Sequence, residues 1–210
     1  MSWADCFARA PDGVTLGEIS EALASRRAAA SPAADADSPA DPAAEPREPR
    51  PTRVVADADV LAADVCLDGD ARRALGALYQ HSWTTLVASD RLVADAEAVI
   101  ESVADESLAS NWRDCIDTWR EPVDQPAGDH PAVASAYRGG AMHVLSVTES
   151  LTASGTGVAL QERFPVSIRQ PAAFALLFDP ESLYATDHDD AYPGPDREPR
   201  GQVADDRTET

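Results

Sequence analysis

Short apolar runs and helical patterns take turns along residues 53–178, and this alternation narrows the chain to one kind of architecture. Arg53–Asp57 (RVVAD), Thr85–Ala88 (TLVA), His143–Val147 (HVLSV) and Phe164–Ile168 read as strands. Between them lie helical stretches. Ala71–Gln80 carries Leu75, Leu78 and Tyr79, and Asp90 caps a helix that runs to Val103. Ser107–Arg120 places Leu108, Trp112, Cys115, Ile116 and Trp119 on one stripe. His130–Arg138 ends at Gly139-Gly140, a poorer helix covers Ala153–Arg163, and Pro171–Phe178 has Pro in its first turn. Strands that alternate with helices cannot pair as hairpins, because each crossover returns the chain in the same direction. The expectation is an α/β fold with three α/β/α layers around a central parallel sheet of about four to five strands. No internal repeat interrupts the pattern.

Residues 53–184 are one domain's worth of chain. Before them, residues 28–52 hold six Pro among Ala and Asp and nothing bulky, so they read as a disordered linker. Residues 1–27 are too few for a core of their own. Val14–Leu23 predicts a short helix with Leu16, Ile19 and Leu23 on one stripe, which either docks elsewhere or serves as a small interaction segment. Residues 185–210 carry eight acids and almost nothing apolar, and read as a disordered acidic tail.

The 210 residues include 17 basic and 37 acidic ones, a net charge of −20, and every basic residue is Arg. With no Lys there is no Schiff-base lysine and no phosphate-loop lysine. The charge also disfavours a long-range basic funnel for nucleic acid at low salt. Many acids, no Lys and many Ala match the habit of organisms that hold molar salt, where a short Debye length of about 3 Å at 1 M mutes self-repulsion. The domain itself carries 9 Arg against 20 acids, so the charge is spread rather than confined to tails. Three widely spaced cysteines form no C-x-x-C, and the four histidines form no H-x-x-x-H. The longest apolar run, Ala172–Phe178, is too short to span a bilayer, and the N-terminus has no basic-then-apolar signal pattern. These features predict a cytoplasmic chain without membrane contact.

In open parallel sheets ligands bind beyond the carboxyl ends of the strands. Asp57 stands where the first strand runs out, and Asp59 follows at i+2. Either acid serves as a helix cap, but two acids between apolar neighbours exceed what one cap needs. Asp95 borders the buried stripe of Leu92, Ala96, Val99, Ile100 and Val103, whereas Glu97 lies on a more solvated face. A partly buried acid must be paired or bind a cation. Asp129 opens the helix before the third strand and has helix capping as its plain reading. Trp112 and Trp119 sit on a stripe that fits a core better than a base-stacking platform, and Ser154–Gly157 reads as a turn.

Taken in order, these stretches resemble the PIN-domain superfamily, metal-dependent nucleases that include toxin-type ribonucleases. VVADADVL matches its opening strand and acid pair with Asp57 and Asp59. TLVASDRLVADAEAVI matches the next strand and its acid-bearing helix with Asp95. DHPAVASAYRGGAMHVLSV matches the third acid, Asp129, and its Ala-rich helix ending in Gly-Ala. FPVSIRQPAAFALLF matches the closing strand, so the resemblance spans Arg53–Phe178. One departure stands out: the family usually places an acid two residues after a Thr beyond the third strand. Here Thr148 falls on the acid's position, with Glu149 one residue beyond as a substitute.

The resemblance implies hydrolysis of RNA phosphodiester bonds with Mg²⁺ or Mn²⁺, which suit all-oxygen sites. It implies Asp57, Asp95 and Asp129 as metal ligands, Glu149 as a further catalytic acid, and Asp59 in support. It also implies a possible antitoxin-like protein partner and a homodimer. Two alternatives remain open at this point: a degenerate PIN-like domain that binds RNA or protein without turnover, and an acidic adaptor acting through residues 1–27.

Overall fold

The first strand begins earlier than its apolar run. In the computed structural model, which describes residues 2–29, 45–125, 130–153 and 164–201, β1 spans Arg50–Ala56. It is joined by β2 (Thr85–Ser89), β3 (Glu121–Val123), β4 (Ala141–Leu145) and β5 (Ser167–Arg169). All five pair in parallel, in the order β3-β2-β1-β4-β5. Helices flank the sheet in the three-layer α/β/α arrangement that the alternation predicts. In chain order they are α1 (Trp3–Ala8), α2 (Leu16–Ala29), α3 (Ala58–Cys66), α4 (Asp70–Tyr79) and α5 (Asp90–Val103). They continue as α6 (Glu106–Trp119), α7 (Pro131–Gly139), α8 (Glu149–Thr152), α9 (Pro171–Leu177) and α10 (Pro180–Asp187).

The strand order reverses at β1. The chain runs outward from β1 through β2 to β3, then returns to the other side of β1 as β4 and ends on β5. That reversal opens a crevice between the carboxyl ends of β1 and β4. Asp57 is the first residue past β1, and its N–H still donates to the Leu145 carbonyl at 2.8 Å.

Several boundaries differ from the sequence reading for local reasons. The stretch 45–52, expected as linker, is tied to the domain: Arg47 N–H donates to Arg138 O at 3.1 Å and Arg50 N–H to Gly140 O at 2.9 Å. Residues 28–29 of that linker end α2 instead, and 30–44 lie outside the described residues, as do residues 154–163 of the helix expected over Ala153–Arg163, the turn at Ser154–Gly157 and the chain from 202. Strand β4 starts two residues before His143 because Gly140, with φ +64°, ends α7 and turns the chain straight into the sheet. A Cβ on Gly139 would collide with the Val87 side chain, so this glycine lets α7 lie close against β2. Pro165 lacks an N–H for the ladder, and β5 begins only at Ser167.

Residues 2–29 and 185–201 fold onto the domain. Helix α2 begins with a reciprocal cap: Thr15 N–H donates to Glu18 Oε2 at 2.8 Å, and Glu18 N–H to Thr15 Oγ1 at 3.3 Å. It buries Ile19 and Leu23 and packs on α5 and α3. Burying two such side chains is worth about 1.5–3 kcal/mol each. Ahead of it, α1 buries Trp3, Ala4 and Cys6.

The chain beyond Ala185 corrects the expectation of a structureless tail as far as residue 201. Helix α10 ends at Asp187, which accepts from Thr52 Oγ1 at 2.7 Å. Tyr192 Oη meets His81 Nε2 at 2.6 Å. Arg200 is 6% exposed and pairs both its terminal nitrogens with Asp64 at 2.7 and 2.8 Å. Its guanidinium also lies over the Trp3 ring at 4.8 Å and the Trp119 ring at 5.2 Å, locking α1, α3, α6 and the C-terminal stretch together. Among the described residues no helix is long and apolar enough to cross a membrane.

Candidate functional site

Three acids gather at the crevice where the strand order reverses. Asp57 is carried by the end of β1 and caps α3, accepting from Ala58 N–H at 2.8 Å. Asp59 sits in the first turn of α3. Asp95 projects from α5, which Ser89 at the end of β2 starts by accepting from Leu92 N–H at 3.2 Å. All three carboxylates are fully buried. Asp57 and Asp95 lie 38 positions apart in sequence, on different elements, yet they meet the same cation.

That cation is Arg27, near the end of α2. Its Nη2 donates to Asp57 Oδ1 at 2.6 Å, and its Nε faces Asp95 Oδ2 at 3.5 Å. Burial opposes the Arg27 charge, but Asp57 first, then Asp95 and Asp59, outweigh it and hold its pKa above the ordinary arginine range. Asp95 Oδ1 meets Arg91 at 3.3 Å and Arg26 at 3.5 Å. Asp95 Oδ2 is buried and accepts no hydrogen bond.

Asp59 faces the opposite wall of the crevice. Its Oδ2 accepts from Thr148 Oγ1 at 2.9 Å and from Val147 N–H at 3.1 Å. The Ser146 hydroxyl lies between the two acids, 3.4 Å from Asp57 Oδ2 and 3.3 Å from Asp59 Oδ2. Burial, and then the neighbouring Asp57 charge, push the Asp59 carboxyl up to about 6, while the Thr148, Val147 and Val60 donors pull the other way. Among the described residues its hydrogen-bond donors, the Thr148 and Ser146 hydroxyls and the Val147 and Val60 N–H groups, are all uncharged.

His130, the residue before α7, places Nε2 at 3.0 Å from Arg27 Nη1 and 3.9 Å from Asp57 Oδ2. Burial holds its pKa below the usual histidine value, with the Asp57 charge opposing. Next to these residues a cleft of about 590 Å³ opens, lined among others by Ser20, Arg27, His130, Thr148 and Glu149.

The sequence-derived candidates therefore divide. Asp57, Asp59 and Asp95 are brought together. Glu97, read as a surface residue, pairs with Arg113 at 3.1 Å with about a third of its side chain exposed. Glu149, expected as a further catalytic acid, is exposed at the start of α8 and lines the cleft, and the Thr148 hydroxyl reaches Asp59. A one-residue shift of the chain does not occur there, because Ser146 N–H is fixed on Arg169 O at 3.0 Å and Thr148 N–H on Ser146 Oγ at 3.1 Å. Asp129 lies outside the described residues. Among the described residues no group of three His, Cys, Asp or Glu side chains stands arranged to hold a metal ion.

Arg27, Ser146 and His130 were not singled out from the sequence. An Arg pair ending an amphipathic helix ordinarily reads as a favourable match to the helix dipole, and nothing in the local pattern says that one guanidinium reaches into the domain. Trp112 is wholly buried, and Trp83 and Trp119 are packed edge-on against Tyr184 and Tyr79, so these three tryptophans are structural.

A family model described as a family of unknown function, DUF7384, matches residues 48–200, more than half of the chain. No curated protein and no solved structure matches.

Proposed function

We propose that this chain, which belongs to the DUF7384 family, is a metal-dependent ribonuclease whose reaction centre is the crevice between β1 and β4. The observation that carries the reading is the convergence of the buried Asp57 and Asp95 carboxylates on one positive charge at the carboxyl end of the sheet. Two buried carboxylates that meet one guanidinium are both ionised only where positive charge offsets them. The resemblance of the ordered acid set to the PIN-domain superfamily names the chemistry.

The residues present fit a hard divalent ion. The donors are carboxylate oxygens, and the buried Asp95 Oδ2 has no hydrogen-bond donor of its own. Asp57 and Asp95 would hold Mg²⁺ or Mn²⁺, with Asp129 as the third ligand that the resemblance implies. Such an ion, when bound, lowers the pKa of water and stabilises the charge on the leaving oxygen. The protein's own residues do the rest. Asp59 supports the cluster and is held in place by Thr148, Val147 and Ser146. His130 lines the cleft beside Arg27, and burial favours the neutral form of its imidazole. Glu149 lines the same cleft, where it would meet an entering substrate.

The test is RNA cleavage by the full chain in molar KCl with Mg²⁺ or Mn²⁺. Cleavage that EDTA abolishes is expected. A second reading is favoured by one specific observation, the Thr148 hydroxyl on Asp59 where the family pattern has an acid: a domain that binds RNA or protein without turnover. A folded protein that binds RNA but never cuts it, across both metals, would select that reading.

A further inference from the structure

The geometry points to α2 as a built-in inhibitor of the crevice, with the Arg27 guanidinium occupying the place of a divalent cation; this rests on the metal-site reading above. Arg27 is the only group that touches both Asp57 and Asp95 among the described contacts, and it does so from outside the sheet domain's own strands and crossovers. The matched family segment begins at residue 48, so the helix that supplies this arginine precedes it in the chain.

The contact carries the marks of a substitute charge. The Arg27 guanidinium brings one positive charge to both Asp57 and Asp95, whereas Arg26 and Arg91 reach Asp95 alone. Asp95 Oδ2 is left without a hydrogen bond, 3.5 Å from Arg27 Nε. Arg200, by contrast, sets both terminal nitrogens on one carboxylate, Asp64, at 2.7 and 2.8 Å. Arg27 instead splits its donors between Asp57 at 2.6 and 3.5 Å and the His130 ring at 3.0 Å.

The helix is also held lightly for its length. Of its fourteen residues only Ile19 and Leu23 are buried, and the cleft beside Arg27 runs along its Ser20, Leu23 and Ala24 side. Lifting α2 removes the guanidinium and widens that cleft into the crevice at the same time. Closed and open forms then differ in which cation the acids hold, so divalent ions and α2 compete.

The probe is Mn²⁺, with free ion counted by its electron paramagnetic resonance signal in the full chain. Wild type is compared with Arg27→Met, which keeps the stem and removes the charge, and with the double variant Ile19→Ala/Leu23→Ala, which keeps Arg27 but loosens the helix. Mn²⁺ affinity is expected to rise at least about ten-fold in both, equivalent to about 1.4 kcal/mol. In wild type, Mn²⁺ is expected to speed amide hydrogen exchange over residues 16–29. Equal or weaker Mn²⁺ binding by Arg27→Met, or unchanged exchange in α2 of the wild type, overturns the inhibitor. If Arg27→Met does not fold, the double variant and the wild-type exchange decide alone. The two readings fail separately. An Arg27→Met protein that gains Mn²⁺ affinity but cuts no RNA keeps the inhibitor and loses the nuclease. A wild type that binds Mn²⁺ and cuts RNA as well as Arg27→Met does the reverse.

Discussion

At the scale of single residues, the Asp59 carboxyl makes the sharpest statement about the crevice. Its folded pKa of about 6 stands above the ordinary 3.8, so the folded chain holds that proton more tightly than the unfolded chain does. The contribution therefore favours folding at low pH and is lost as pH rises through about 6, a change of up to about 3 kcal/mol at about 1.4 kcal/mol per pH unit. Without metal, thermal stability measured between pH 4 and 6.5 should fall less steeply, or rise more, in Asp59→Asn than in wild type. Identical pH slopes in the two proteins would mean that burial beside Asp57 does not raise the Asp59 pKa. This acid was legible in the sequence because Asp57-Ala58-Asp59 places two acids where a strand runs out. Its partners were not: Ser146 and Val147 lie 87 and 88 residues away, and only the parallel pairing of β1 with β4 brings them near.

At the scale of elements, amphipathic helices were readable and uniformly buried ones were not. Helices α5 and α6 keep apolar stripes against polar faces, and both were expected within a residue of their ends. Helix α3 has all nine residues buried and so shows no stripe; periodicity cannot mark a helix with no wet side. The stretch after Ala185 was misread for a different reason. It has few apolar residues, and it is anchored by polar and aromatic contacts whose partners lie more than a hundred positions away. Arg200 is the main anchor, so Arg200→Met should cost about 3–5 kcal/mol by leaving Asp64 buried and unpaired. The double variant Asp64→Asn/Arg200→Met should lose clearly less than the sum of the two single changes. Denaturant unfolding of the four proteins measures this, and strict additivity would mean that the pair is not energetically coupled.

At the scale of the whole molecule, a net charge of −20 without a single Lys sets the conditions in which the chain folds and meets a substrate. Raising KCl from about 0.1 to 2 M shortens the screening length from about 10 Å to below about 3 Å and should raise the melting temperature markedly. A flat melting temperature over that range would count against adaptation to molar salt. The same charge repels a polyanion, so any RNA chemistry depends on salt to bring the substrate in and on a cation in the crevice to hold it. The fold class followed from the alternation of strands and helices. The convergence of the acids followed from the rule that sites lie at carboxyl ends, and the arginine that occupies them belongs to a segment with no strand to place it. The most direct measurement is the single-turnover rate of RNA cleavage in molar KCl with Mn²⁺, for wild type, Asp57→Asn and Asp95→Asn of equal melting behaviour. The nuclease account predicts a loss of at least about a hundred-fold in each variant. Cleavage by both variants at the wild-type rate would contradict it.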